Sequence, residues 1–161
     1  MGNKDDKTNV MRILDSKKVP YAHYAYSFDG VPSGTEAAEK MGKDPSSVFK
    51  TLVTVGKSGE HYVFVIPVDR ELDLKKAAAA VGEKNIEMIR SKELLPLTGY
   101  VHGGCSPVGM KKFFTTTFDA SAGRLTTVTF SAGRIGRQVE LALSDLEKVI
   151  RFSLHDLCAD R

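Results

Sequence analysis

The sequence predicts an α+β fold in which a mixed, curved, barrel-like β-sheet is surrounded by helices. Runs rich in β-branched residues stand next to one another as hairpins, and helices with capping signals are interspersed without a regular βαβ alternation. The chain has 161 residues, of which 42% are hydrophobic and 27% are charged, which is enough for one ordinary core. We therefore expect residues 1–161 to form a single domain.

Helix and strand signals alternate at the start of the chain. Four elements are predicted there: a helix over about 7–17, a strand over 21–26, a helix over about 33–41 and a helical turn at 44–47. The helical spacing of Val10 and Leu14 supports the first helix. Ser33 and Glu36 have the spacing of a capping box, and Gly42 is the kind of residue that ends helices.

The middle of the chain is dominated by a predicted hairpin. The elements expected here are strands over 48–55 and 62–68 joined by a turn at 57–60, a helix over 75–81, a strand over 86–89 and a single helical turn over 91–95. Pro67, near the end of the second strand, predicts an edge position or a bulge. Asp73 and Gly82 supply the start and end signals of the helix between them.

Glycine and proline are unusually dense after residue 98. The predicted elements are a loop over 99–109, strands over 113–118 and 125–130, a loop over 131–136, a strand over 138–143 and a last helix over about 144–158. The final helix is predicted because Ser144 and Glu147 repeat the capping-box spacing.

Composition excludes several classes of protein. No run of about 18 apolar residues is present, and the charged N-terminus lacks the apolar core of a secretory signal. Cys105 and Cys158 are too few for a disulfide framework, so we expect a cytoplasmic protein with reduced thiols. His102 and Cys105 have ligand-like spacing, but no second pair completes a zinc site, so neither a metal nor a cofactor is expected. The net charge of +3 permits tRNA binding without requiring it.

Two features could carry chemistry although the common catalytic motifs are absent. Lys50 lies within an apolar strand, where it is either a solvent-facing residue or a cation directed into a pocket. The glycines of the segment Gly103–Pro107 could present several backbone N–H groups to an anion, or simply form a tight turn between strands.

Other polar residues near these features have two interpretations each. Cys105 could be a nucleophile activated by His102, or a small loop residue. Ser106 is interpreted as a hydrogen-bonding residue of the same loop. Tyr26 and Tyr100 could stack on a nucleotide, or be half-buried tyrosines of ordinary strands.

Three segments in fixed order resemble the YbaK/EbsC family, the free-standing relatives of the editing domain of bacterial prolyl-tRNA synthetase. The segments are Val48–Leu52, Gly99–Lys112 and Ser131–Arg134 together with Gln138–Leu141. The resemblance covers nearly the whole chain. It implies a barrel-like mixed sheet and a trans-editing hydrolase that removes a mischarged amino acid from tRNA, with cysteine on tRNA(Pro) as the leading substrate. It also implies aminoacyl-tRNA as partner, with prolyl-tRNA synthetase as a further candidate.

The resemblance also implies which residues form the site. Lys50 matches the functional lysine of the family, and Gly103, with Gly104 beside it, matches the glycine whose backbone lines the acyl site. The expected substrate-binding residues are Tyr26, Thr51, Tyr100, Ser106, Ser131 and Gln138. In this branch the thiol of the substrate attacks its own carbonyl carbon, whereas positioned water would have to attack a substrate that lacks a thiol.

Two positions depart from the cysteine-specific branch of this family. Ser33 stands where that branch often has phenylalanine, and Gln138 stands where it often has aspartate. These departures motivate one alternative, a deacylase for alanine or serine. The net charge of only +3 and the missing nucleophile motivate a second, a non-catalytic module that binds tRNA or a synthetase. A thiol enzyme that depends on Cys105 is the third.

Overall fold

The computed structural model describes residues 7–160. Five helices lie within this range: α1 (Asn9–Ser16), α2 (Gly34–Met41), α3 (Leu74–Val81), α4 (Ser91–Thr98) and α5 (Leu143–Leu146), with 3₁₀ turns at Pro45–Ser47 and Ala120–Arg124. The strands of the same range are β1 (Ala22–Ala25), β2 (Phe49–Gly56), β3 (His61–Pro67), β4 (Ile86–Met88), β5 (Thr115–Asp119), β6 (Thr127–Arg134), β7 (Arg137–Ala142) and β8 (Ser153–His155). No helix of these residues has the length and apolar character needed to cross a bilayer.

The strands form two sheets, and the predicted mixed α+β architecture is confirmed. The smaller sheet has the order β1-β7-β6 and is antiparallel throughout. The larger sheet has the order β4-β2-β3-β5-β8 and is mixed, because β5 pairs in parallel with both of its neighbours. Neither sheet closes on itself within the described residues, so the predicted barrel-like closure is not found. Within residues 7–160, one isolated parallel bridge, between Val48 and Thr129, connects the two sheets.

The main hydrophobic core lies between the sheets and α1. Phe118 is completely buried at its centre, where its ring packs against those of Phe49, Phe130 and Phe152. A second cluster lies under α3 and contains Phe64. These clusters place β2 between two apolar layers, which holds its first residues in a fixed position.

The predicted caps of α2 and α3 are confirmed. Ser33 Oγ accepts the amide hydrogen of Glu36, whose carboxylate accepts the amide hydrogen of Ser33. Asp73 accepts from two amides at the start of α3. Gly42 and Gly82 end α2 and α3 at φ angles of 69° and 74°, a conformation that glycine adopts without strain.

The predicted C-terminal helix is wrong. Helix α5 ends at Leu146, and its cap position is Ala142 rather than Ser144. The chain then continues to β8, which pairs with β5. The extended path has a physical reason, because it brings Phe152 onto the main core and Leu157 into the second cluster.

Two element boundaries and the position of β3 in its sheet also differ from the sequence-based expectation. The segment predicted as a loop over 131–136 belongs to β6 as far as Arg134, with a register shift between Ser131 and Arg134. Helix α4 continues through Pro96 to Thr98. Strand β3 is internal to the larger sheet, but Pro67 lies beyond the last residue that pairs with β5, so no ladder hydrogen bond to that neighbour is lost.

A carboxylate joins all three strands of the smaller sheet to the segment after α2. Glu140 on β7 accepts hydrogen bonds from Tyr24 of β1 and Thr127 of β6, and Lys43 Nζ lies 2.8 Å from its Oε1. The Lys43 ammonium also lies 5.0 Å from the centre of the Tyr24 ring. Burial alone would raise the pKa of Glu140, but these donors outweigh it and lower the pKa to about 2.

We expect Glu140→Gln to lower the free energy of unfolding by about 2 kcal/mol at neutral pH. Because the folded-state pKa lies below the ordinary value of 4.5, this contribution is complete above pH 4.5 and is lost as the pH falls towards 2. Urea unfolding measured between pH 2 and pH 7 tests the expectation. The matched control is Glu147→Gln, which makes the same change at an exposed side chain. Parallel curves for wild type and Glu140→Gln over this range would contradict it.

Candidate active site

A small cavity of about 190 Å³ lies where the start of β2 faces the smaller sheet. Its walls come from β2, β6, β7, α2, α4 and the loop over 99–109, called the glycine-rich loop below. Its lining residues are Tyr26, Pro32, Ser33, Gly34, Ala37, Val48, Phe49, Lys50, Thr51, Leu52, Val68, Leu94, His102, Gly103, Cys105, Ser131 and Gln138. Six residues predicted for the site are among them. A larger cleft, of about 690 Å³, lies between α1 and β1 and contains none of the predicted residues.

Lys50 is the second residue of β2, and its side chain is 30% exposed. Its Nζ lies 3.8 Å from Glu71 Oε2, but Glu71 is 87% exposed. An ion pair of this length and exposure contributes little energy. Among the residues that line the cavity no carboxylate is found, so the ammonium of Lys50 is available to a negatively charged group of a ligand.

Gly103 and Gly104 have different positions in the glycine-rich loop. Gly103 lines the cavity with a φ of +89°, and a Cβ placed on it would lie 2.6 Å from Val31 Cγ1. The amide of Gly104 donates to the Val101 carbonyl at 3.0 Å, so it is engaged within the turn. A Cβ on Gly104 would lie 3.2 Å from the backbone nitrogen of Ile135. Gly103 therefore presents backbone to the cavity, and Gly104 allows the turn between β6 and β7 to pack closely.

The polar part of the cavity is formed by side chains from facing strands. Gln138 is 8% exposed, and its Nε2 donates to the hydroxyl of Tyr26 at 3.1 Å. Its Oε1 and the Oγ1 of Thr51 are buried, and neither has a hydrogen-bond partner within residues 7–160. Ser131 Oγ accepts from the amide of Gly133 at 3.1 Å. Burial raises the pKa of Tyr26, so its phenol is neutral at pH 7.

Tyr100 and Ser106 lie behind the glycine-rich loop and do not line the cavity. Tyr100 is buried, and its hydroxyl donates to the Val108 carbonyl. Ser106 is completely buried and accepts from the Val108 amide at 3.3 Å. Burial raises the pKa of Tyr100 to about 12. In this structure these two residues fix the shape of the loop.

Cys105 lines the cavity, but its thiol is a poor nucleophile at neutral pH. Burial raises the pKa of Cys105 to about 12, whereas a catalytic thiol needs a lowered pKa. His102 also lines the cavity, but it is exposed, and the hydrogen bonds within residues 7–160 do not include one between His102 and Cys105. The cavity thus combines a cation and a glycine backbone with no activated nucleophile of the protein.

Helix α2 forms a wall of the cavity, and of its lining residues only Ser33 was singled out from the sequence. Ser33, Gly34 and Ala37 line the cavity, and a Cβ on Gly34 would lie 2.6 Å from Val68 Cβ. Because α2 approaches the end of β3 this closely, position 34 has no room for a side chain, which explains why it is a glycine. The capping box of Ser33 predicts the helix but gives no indication of what the helix packs against.

A small cavity that offers a cation and the backbone of a glycine suits the hydrolysis of an acyl ester that is already activated. Residues 29–149 match the aminoacyl-tRNA editing domain family, and the chain belongs to this family. The predicted class, an aminoacyl-tRNA deacylase related to the YbaK/EbsC proteins, is confirmed by this match and by the relatives described next.

The relatives include free-standing proteins and synthetases. EbsC of Enterococcus faecalis, a proposed Cys-tRNA(Pro)/Cys-tRNA(Cys) deacylase, is 48% identical over 138 residues, which are 84% of each chain. Proline–tRNA ligase of Thermosipho africanus is 31% identical over 77 residues, which are 48% of this chain and 14% of the ligase. The crystal structure of a proposed trans-editing enzyme for prolyl-tRNA synthetase has a TM-score of 0.76 and 22% identity, covering 95% of this chain and 99% of that one.

Proposed function

We propose that this chain hydrolyses Cys-tRNA(Pro) in trans, in the cytoplasm, with prolyl-tRNA synthetase as a candidate partner. The observation that carries the proposal is the cavity in which Lys50 and Gly103 meet without an activated nucleophile of the protein. A cysteinyl ester supplies its own nucleophile, so a site of this composition is sufficient for it. The similarity to EbsC supports cysteine as the amino acid.

The proposed roles follow from what each group offers. The amide of Gly103 donates to the carbonyl oxygen of the ester, where negative charge develops; one such donor is typically worth about 2.7–4 kcal/mol. Lys50 stabilises negative charge on the same oxygen or on the terminal phosphate of the tRNA. The cysteine thiol of the substrate attacks its carbonyl carbon, and the bond to the ribose oxygen breaks as that oxygen takes up a proton. Water then hydrolyses the resulting thioester.

A deacylase for alanine or serine is the second candidate, and Gln138 is the observation that favours it. An uncharged amide in the cavity changes its polarity relative to the aspartate of the cysteine-specific branch. For either of these substrates the attacking group would be water, because the side chain carries no thiol.

The test is the release of radiolabelled amino acid from Cys-tRNA(Pro), Ala-tRNA(Pro) and Ser-tRNA(Pro), each prepared on the same tRNA. We expect release of cysteine above the spontaneous rate, and the same rate with Cys105→Ser. Release that disappears in Cys105→Ser would identify a thiol enzyme instead. Binding of all three charged tRNAs without release of any amino acid would replace the proposed hydrolase by a binding module.

A further inference from the structure

We infer that Gln138 and Thr51 select for a hydroxyl-bearing side chain, so that the cavity accepts seryl-tRNA in addition to a cysteinyl substrate and rejects alanyl-tRNA. The inference rests on the proposed deacylase function and adds the chemical class of the side chain. It starts from two buried oxygen atoms for which residues 7–160 provide no hydrogen-bond partner.

Both oxygens belong to residues that line the cavity. Gln138 Oε1 and Thr51 Oγ1 are shielded from solvent and unpaired within residues 7–160. Buried polar atoms without a partner are rare in proteins, because leaving one unpaired destabilises the fold. The two residues come from different sheets, Gln138 from β7 and Thr51 from β2, so a group between them lies between the walls of the cavity.

A hydroxyl satisfies this pair better than the other small side chains do. It donates one hydrogen bond and accepts others, so it can donate to Gln138 and accept from Thr51 at the same time. If the amide is turned so that Oε1 accepts from Tyr26, Nε2 faces the cavity instead, and a hydroxyl still pairs with it. A methyl group leaves both residues unpaired, and a thiol is only a weak donor and acceptor.

The unpaired atoms also favour a neutral group over the α-ammonium of the substrate. An ammonium donates but cannot accept, and Lys50 already places a positive charge among the residues of the cavity. None of the lining residues carries a carboxylate to compensate a second positive charge. Gln138 is accordingly assigned to the side chain of the substrate rather than to its amino group.

The experiment compares kcat/KM for Ser-tRNA(Pro) and Ala-tRNA(Pro) in the wild type, Gln138→Met and Thr51→Val. Both substitutions keep the approximate side-chain shape and remove the polar atoms. We expect the wild type to prefer serine over alanine by about ten- to a hundredfold, and each variant to lose most of that preference because its rate on serine falls more than its rate on alanine. An unchanged ratio in the variants overturns the inference.

Two further outcomes separate this inference from the proposed function. Equal losses on serine, alanine and cysteine in Gln138→Met would assign Gln138 to a group common to all aminoacyl esters, which overturns the selection for hydroxyls while leaving the deacylase intact. Absence of release from every charged tRNA in the wild type would overturn the deacylase itself. Inhibition by the non-hydrolysable amides seryl- and alanyl-3′-amino-3′-deoxyadenosine gives a readout that does not require turnover, and we expect the seryl compound to bind more tightly to the wild type only.

Discussion

Lys50→Ala is expected to lower kcat/KM for cysteine release about a hundredfold or more, because no other lysine or arginine lines the cavity within the described residues. Stability should change little, since the only ion pair that Lys50 makes with a described residue is long and exposed. Release of labelled cysteine under single-turnover conditions measures the loss, and the thermal midpoint verifies the fold.

Two variants control this expectation. Lys57→Ala removes the same charge from the exposed β2–β3 turn and should leave the rate unchanged. Lys50→Arg keeps the charge and should retain part of the activity, because a guanidinium can meet the same oxygen with a different geometry. A Lys50→Ala rate equal to that of the wild type would remove Lys50 from the mechanism.

Gly103→Ala should reduce kcat/KM by about 10²–10³, the effect of losing one donor to a developing oxyanion. The substitution keeps the amide hydrogen, but it displaces it for two reasons. A φ of +89° is strained for alanine, and the added methyl carbon would lie 2.6 Å from Val31 Cγ1. Either the loop or Val31 must move, and a movement of the loop changes the position and direction of the backbone N–H of residue 103.

Gly59→Ala is the matched control for Gly103. Gly59 has a φ of +93°, which gives alanine a similar backbone strain, but nothing lies within 4 Å of the added carbon. Both variants should lose stability from the backbone strain, with a further loss in Gly103→Ala from the contact with Val31, while only Gly103→Ala should lose activity. If both variants keep full activity, Gly103 does not place the carbonyl of the substrate.

Local signals predicted the parts of the fold that short-range contacts decide. The Ser33 capping box, the Asp73 cap and the glycines at 42 and 82 all satisfy the orphan hydrogen-bonding groups of their own helices. The same capping-box spacing at Ser144 failed, because the following segment gains more by pairing with β5 and filling two clusters. The capping-box spacing alone does not show whether a capped helix or the packing of an extended segment stabilises the fold more.

The sequence predicted only part of the candidate site, because some of its contacts also depend on long-range packing. Lys50 and Gly103 stand in recognisable segments, and both line the cavity. The hydrogen bond between Gln138 and Tyr26 spans 112 positions of the chain and depends on the register that sets Tyr24 opposite Gln138. The engagement of the Gly104 amide with Val101 depends on the exact path of the loop. Neither arrangement leaves a pattern in the sequence.

The bridge between Val48 and Thr129 has a consequence for how such enzymes can diverge. The cavity lies between sheets that share only this ladder contact in the described part of the chain, and its two orphan oxygens come from opposite walls. A substitution on β7 can therefore alter which acyl group fits without disturbing the strand pairing that surrounds Lys50. We therefore expect that amino acid preference can be changed separately from the groups proposed to cleave the ester.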